Sequence, residues 1–235
     1  MKVPDRIKEI GVLTEPMSVA AKAIDEAMSL QSARLSGFFK TENWLLGKRT
    51  LVAGIGAIGL MAAFALRLRG AEVIGMDIVD EGTLRPQILK QIGGRYIDGR
   101  EITAMEIDEK CGEVDMVFEA TGIAKLQIEL IDTLAINGIF VATGIPAGER
   151  PLSLPAGGIM KQVVLKNQVI LGSVNAGIDH YRMAAADLAA CYDRWPVQIK
   201  QVITGRIPYT DFQKALNAHA VDEIKVVVDW KEQPI

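Results

Sequence analysis

The sequence is short of the residues that build metal and redox centres. Two cysteines and two histidines occur among 235 residues. Cys111 and Cys191 stand far apart and in no CxxC pair. No disulfide framework and no cysteine zinc site is therefore expected, and a reducing cytoplasm fits. Cys111, in EKCGE, reads as an ordinary thiol, and Cys191, in AACYD, as helix packing. His180 and His219 argue against a histidine metal centre built by this chain alone. Both fall among polar neighbours in helical segments and read as surface or capping residues. Charge of one sign is not in excess either. The 26 basic and 29 acidic side chains leave a net charge of −3 and are interspersed. Without a basic stripe, nucleic acid is not expected as a partner. Long hydrophobic runs are missing too. The longest uncharged stretch, Thr50 to Leu66, is shorter than the about 20 apolar residues of a spanning helix. The first residues, MKVPDRIKEI, are charged and lack the apolar core of a signal peptide. The expectation is a soluble cytoplasmic protein with no membrane partner.

What is present points to a packed domain. Apolar residues make up 49% and charged residues 23%, close to average globular usage, which excludes disorder for most of the chain. Residues 15–30 read as a helix with Val19, Ala20, Ala23, Ile24, Ala27 and Met28 on one face. From residue 50 onward, short apolar runs alternate with longer helical segments. The runs at 50–54, 73–77, 114–119, 138–143, 169–174 and 225–229 read as strands. The segments at 57–69, 84–92, 124–135, 157–166, 178–193 and 210–219 read as helices. Such alternation predicts βαβ units and a parallel sheet covered on both faces. The fold class is α/β: a doubly wound Rossmann sheet of six strands, order 3-2-1-4-5-6, with a flanking N-terminal helix. The expected division is a linker and helix at 1–45, a dinucleotide-binding domain at 46–205, and a C-terminal helix and strand at 206–235.

The strongest chemical signal is the stretch TLVAGIGAIGL. Gly54, Gly56 and Gly59 form GxGxxG directly after a predicted strand and open a predicted helix through Ala57 and Ile58. The first glycine permits the tight turn, the second lets a pyrophosphate approach the backbone, and the third lets helix and strand pack closely. The next strand ends in Asp77, about 20 residues further on, where a carboxylate can accept from ribose hydroxyls. Strand before, helix after, second strand and terminal acid together indicate a dinucleotide site. The residues after Asp77 are Ile78, Val79 and Asp80, none of them basic. A 2′-phosphate would meet negative charge there, so NAD is expected over NADP. Arg85, the nearest basic residue, keeps NADP open. The ends of later strands read as further cofactor edges: Glu119 to Gly122 with Thr121, Ala142 to Pro146, and Ser173 to Asn175 with Val174.

The segments LTEPMSVAAKAIDEA (13–27), LVAGIGAIGL (51–60), VFEATG (117–122), NGIFVATGIP (137–146) and LKNQVILGSVNAGIDHYRMA (165–184) resemble the second half of medium-chain dehydrogenase/reductases. The archaeal-type, zinc-dependent glucose dehydrogenase branch is the most similar. The resemblance implies hydride transfer between NAD(P) and a sugar or polyol, with zinc held by a preceding catalytic domain. That domain is expected to lie outside this sequence and to join it in cis or in trans. The chain alone is then expected to bind cofactor without turnover or tight zinc. The resemblance also assigns roles. Glu15 matches a carboxylate near zinc and substrate. Asn175 matches a residue touching cofactor and sugar. Thr143, Gly144 and Ile145 match backbone around the nicotinamide, and Lys225 matches a cofactor-contacting lysine. In the family the sheet edge pairs across a two-fold axis, which implies a homodimer through Val169–Val174. Family members carry the 1–45 helix between two domains, so one face is expected to be uncovered. Two other readings stay open at this point. One is a free-standing NAD-binding regulatory module. The other is a Rossmann enzyme using Lys125, Asp179 and His180.

Overall fold

The computed structural model describes residues 2–35, 43–148, 151–217, 220 and 222–230. After a 3-10 segment at Asp5–Leu13, the chain forms the long helix α1, Thr14–Arg34. The α/β alternation then runs β1 Arg49–Ala53, α2 Ala57–Leu68, β2 Glu72–Asp77, α3 Leu84–Gln91, β3 Arg95–Asp98, α4 Ile107–Cys111, β4 Val114–Glu119 and α5 Ala124–Glu129. It continues with β5 Leu134–Ala142, α6 Ala156–Leu165, β6 Val169–Gly172 and α7 Ile178–Arg194. Then come α8 Pro196–Gln201, β7 Ile203–Pro208, α9 Phe212–Asn217 and β8 Lys225–Asp229.

The main sheet has six parallel strands in the order β3-β2-β1-β4-β5-β6. Successive side chains of a strand point to opposite faces, so a sheet buried on both sides needs two cores. That division is visible residue by residue. Val52, Met116, Phe118, Ile139 and Val141 join α1, α2, α7 and α8 in one core. Leu51, Ala53, Ile74, Val117 and Phe140 join Ile107, Leu130, Ile131 and Ile159 in the other. α1 lies against α2 and α7. Its small, fully buried residues Ala20, Ala21, Ala23 and Ala27 let the backbones come close, and Met17 and Ile24 fill the seam. The apolar face of this helix is thus covered within the chain itself.

Several elements differ from the sequence reading. β3 was not among the predicted runs: RYID is short, half charged and lies at the sheet edge, where one flank needs no apolar cover. The run at 225–229 is a strand, but it pairs in parallel with β7 in a separate two-stranded sheet. β7 itself, ITGRIP, hides behind its glycine, arginine and proline. The segment 124–135 is not one helix. α5 gives way to a 3-10 turn at Leu130–Thr133, and β5 starts at Leu134. An irregularity in the β4–β5 register and Asn137 at φ 63° accompany this early start. β6 ends at Gly172, which leaves Ser173, Val174 and Asn175 in the loop beyond it. Within the predicted helix 210–219, the described residues form the end of a 3-10 turn, Tyr209–Asp211, followed by α9, Phe212–Asn217. Among the described residues no helix is long and apolar enough to cross a membrane.

Candidate functional site: the crevice at the strand ends

The strand order reverses between β1 and β4, the switch point at which open α/β sheets take ligands in a crevice outside the carboxyl ends of their strands. The β1–α2 turn forms one wall. Gly54 has φ +83°, and a Cβ there would lie 2.9 Å from the Thr121 side chain. At Gly59 a Cβ would lie 1.8 Å from the Gly54 carbonyl oxygen, so no side chain fits. Gly56 is different. It precedes α2, and an added Cβ would meet nothing within 4 Å. Gly54 and Gly59 are therefore required by the protein's own packing, whereas Gly56 leaves open space where a ligand can approach. The first N–H groups of a helix have no intrahelical partner. Ala57 and Ile58 open α2, and its first turn holds no acidic residue to oppose an anion.

Asp77 ends β2 and reaches across to this turn. Its Oδ2 accepts from the Ile55 N–H at 3.0 Å, and its Oδ1 accepts from the Ile78 N–H at 2.7 Å. Each carboxylate oxygen has a further lone pair for an external donor. Ile78 is exposed and Val79 half-buried. The Tyr96 hydroxyl lies 3.0 Å from the Asp77 carbonyl oxygen and 2.5 Å from that of Val79. Burial, then the charges of Asp98 and Asp77, pushes this phenol up to about 12. Arg85 is also here. Its Nη1 lies 3.7 Å from Asp77 Oδ2, and its Nη2 donates to the Glu223 carbonyl at 2.7 Å. The acid therefore has a cation beside it, which sequence order suggested only loosely.

The opposite wall is built from the ends of β4, β5 and β6. Thr143 donates its N–H (2.9 Å) and its hydroxyl (2.7 Å) to the Glu119 carbonyl. Thr121 is held through its N–H by the Glu119 carboxylate at 2.6 Å. Gly122 and Gly144 press together so closely that a Cβ on Gly144 would lie 2.2 Å from the Gly122 nitrogen. Ile145 is 76% exposed beside them. Beyond β6, the buried Ser173 hydroxyl donates to Glu26 Oε2 at 2.7 Å, and Lys22 Nζ donates to the Val174 carbonyl at 2.8 Å. Asn175 is exposed at φ 59°. Glu15, Lys22 and Glu26 stand seven and four positions apart on α1, hence on one helix face. The exposed Glu15 pairs with Lys225 of β8, Oε2 to Nζ 3.8 Å.

The structure thus brings together Gly54 with Thr121, Asp77 with the glycine turn, Gly122 with the β5 loop, the β6 loop with α1, and Glu15 with Lys225. Lys22, Glu26 and Gln127 were not singled out, and Glu119 was named only as the start of the EATG strand end. A glutamate inside the apolar strand MVFEA and a Lys–Glu pair one turn apart on α1 were the available signals. Lys125, Asp179 and His180 do not converge. Lys125 pairs with Glu129 at 3.5 Å and Asp179 with Arg182 at 2.6 Å. His180 Nδ1 accepts from the Gly177 N–H at 3.1 Å, a capping contact at the start of α7. His219 lies outside the described residues. Cys191 is buried, and burial followed by the Asp187 charge pushes its thiol far up, so it is not a nucleophile. Among the described residues no three His, Cys, Asp or Glu side chains converge to hold a metal ion.

The sequence matches the family described as "Glucose dehydrogenase C-terminus" over residues 8–230. It is 36% identical over 234 residues to glucose 1-dehydrogenase 2 of Vulcanisaeta moutnovskia, covering 97% of this chain and 61% of that protein. It is 35% identical over 231 residues to glucose 1-dehydrogenase of Thermoproteus tenax, with the same coverage. The chain therefore spans about three-fifths of the length of these relatives. In fold it is similar to the glucose dehydrogenase of Haloferax mediterranei solved with NADP, zinc and gluconolactone. The TM-score is 0.86 at 24% identity, covering 99% of this chain and 62% of that one. The chain belongs to the glucose dehydrogenase C-terminal family and corresponds to the second half of a medium-chain dehydrogenase/reductase.

Proposed function

We propose that this chain binds a nicotinamide dinucleotide in the β1/β4 crevice and serves as the cofactor-binding part of an NAD(P)-dependent dehydrogenase acting on a sugar or polyol. The observation that carries the reading is the Gly54–Gly59 turn tied to Asp77 by the Ile55 hydrogen bond, with open space at Gly56. The α2 N-terminus, through Gly56, Ala57 and Ile58, takes the pyrophosphate. Asp77, with Ile78 and Val79, takes the adenosine ribose. Thr121, Thr143, Gly144, Ile145, Ser173, Val174 and Asn175 border the nicotinamide half, and Lys225 contacts the cofactor from β8. Bound there, the nicotinamide supplies a hydride acceptor or donor. Asn175 and Glu15 face the sugar when the catalytic half is in place.

NAD is preferred over NADP, because Asp77 carries charge where the 2′-phosphate would sit. Arg85 beside it makes the preference modest. Zinc does not fit the residues of this chain alone: Glu15 is a single exposed carboxylate already paired with Lys225. Fixing a reacting partner in a near-attack geometry can supply about 7–11 kcal/mol of a barrier. Residues 1–45 and 206–235 flank the dinucleotide domain and meet the catalytic half. Trp230, 80% exposed and stacked on Tyr209, and the half-exposed Phe212 suit such a surface. The chain is expected to bind cofactor without turnover until that half is restored in cis or in trans. The test is reduced-nicotinamide absorbance with purified chain, millimolar glucose, galactose or polyol, and zinc. Turnover lost in a Gly56→Val variant would refute the inactive-alone part of the proposal.

The same reading includes a homodimer. β6 is the last strand of the sheet, and Ile170 on it is 50% exposed. An uncharged, open edge of this kind pairs with another strand.

A further inference from the structure

Glu119 is a carboxylate with no solvent exposure that follows the apolar run Met116–Phe118 at the end of β4. Burying a charged group without partners is costly. Here the partners are all neutral donors. Oε1 accepts from the Thr121 N–H (2.6 Å), the Thr121 hydroxyl (2.5 Å) and the Gly122 N–H (2.9 Å). Oε2 accepts from Gln127 Nε2 at 2.6 Å. The same Gln127 amide donates to the Gly144 carbonyl at 2.9 Å.

These contacts lie at the floor of the crevice. Glu119 is in register with Ala53, the residue before the glycine turn, and with Ala142, the residue before Thr143. Its carboxylate fixes the loop after β4. Its own carbonyl fixes Thr143 and Gly144 after β5. Gln127, from α5, closes the link between the two loops. Together these bonds tie the loop after β4 to the loop after β5, the two loops that the dinucleotide reading puts on the nicotinamide side.

We infer that Glu119 and Gln127 form a clamp that positions the Thr121–Gly122 and Thr143–Gly144 loops for the nicotinamide riboside, and so set how much that half of the cofactor adds to binding. Both are positioning residues; neither touches the reacting atoms. The inference rests on the dinucleotide reading above. It goes beyond that reading in separating the two halves of the ligand energetically. An amide at position 119 would turn donors toward donors on one side of the clamp, because a glutamine has one acceptor oxygen where the carboxylate has two.

The experiment compares two ligands on the purified chain by calorimetry: ADP, which carries the adenosine and both phosphates, and NADH, which adds the nicotinamide riboside. Glu119→Gln should lose at least tenfold in NADH affinity and less than twofold in ADP affinity. Gln127→Leu, at a half-buried helix position, should lose several-fold for NADH and leave ADP unchanged; it decides the matter if the first variant does not fold. Equal weakening of both ligands, or no weakening of NADH, would overturn the clamp. So would a wild-type chain that binds NADH no more tightly than ADP. A wild-type chain that binds neither ligand refutes the dinucleotide reading itself, and the clamp with it.

Discussion

The two walls of the crevice are built by different means. The glycine wall is one contiguous βαβ unit, and its shape follows from backbone: a left-handed turn at Gly54, a helix start at Gly56, and a contact at Gly59 too close for any side chain. The opposite wall is assembled from the ends of three strands and from α1. Its key contacts join residues far apart in sequence: Lys22 with Val174 across 152 positions and Ser173 with Glu26 across 147. The first wall is a local device that a short motif can write. The second is a tertiary product that depends on buried polar side chains finding distant partners. The difference predicts where substitutions cost folding and where they cost binding alone.

The largest effect is expected within the glycine wall, from two neighbouring glycines with opposite roles. Gly59→Ala places a methyl group 1.8 Å from the Gly54 oxygen. Helix α2 must then move off β1, at a cost of about 3 kcal/mol or more. A clear fall in the denaturant midpoint should result. The Cβ of Gly56→Val meets nothing within 4 Å, so its stability should stay within about 0.5 kcal/mol of wild type, while dinucleotide binding disappears. If both variants unfold alike, Gly56 is structural and the contrast between them is gone.

Removing the acid comes next. Asp77→Ala deletes an ionised acceptor for ribose hydroxyls, worth about 1.5–3 kcal/mol. NAD affinity should drop at least tenfold, NADP much less, and the gap between them should narrow. Calorimetry with both cofactors settles it, and equal or tighter NADP binding by the wild-type chain would sink the preference. Arg85→Ala should shift the balance the other way, further against NADP.

At the far edge of the second wall, Ile170→Lys should convert a dimer into a monomer in sedimentation with the melting temperature little changed. A wild-type chain that sediments as a monomer at high micromolar concentration would remove the proposed β6 interface. The smallest effect concerns Tyr96. Its folded pKa of about 12 lies above the ordinary value of about 10. The unfolded chain therefore releases this proton first, and stability should fall as pH rises from about 10 to about 12. Tyr96→Phe should flatten that part of the stability curve while costing about 1 kcal/mol at neutral pH for its hydrogen bonds.

What could be read from the sequence follows the same division. The GxGxxG turn and the acid that ends β2 were legible, because each rests on residues adjacent in the chain, and the strand order followed from the Rossmann fold class that they indicate. β3 and β7 were not: their residues are half polar, and only their neighbours in the sheet make them strands. The clamp at Glu119 was half legible. The stretch EATG marked the loop, but nothing local told that the carboxylate turns inward to Gln127. α1 illustrates the limit from the other side. Its alanine face was plain, while the pairing of Lys22 and Glu26 with the β6 loop needed the fold.

One titration bears most directly on the central claim: NAD into the wild-type chain and into Gly56→Val, followed by calorimetry at low salt. Saturable one-to-one binding by the wild type, lost in a variant that melts at the same temperature, is the expected result. No binding by a folded wild-type chain, or equal binding by both, would contradict the assignment of this crevice to a dinucleotide.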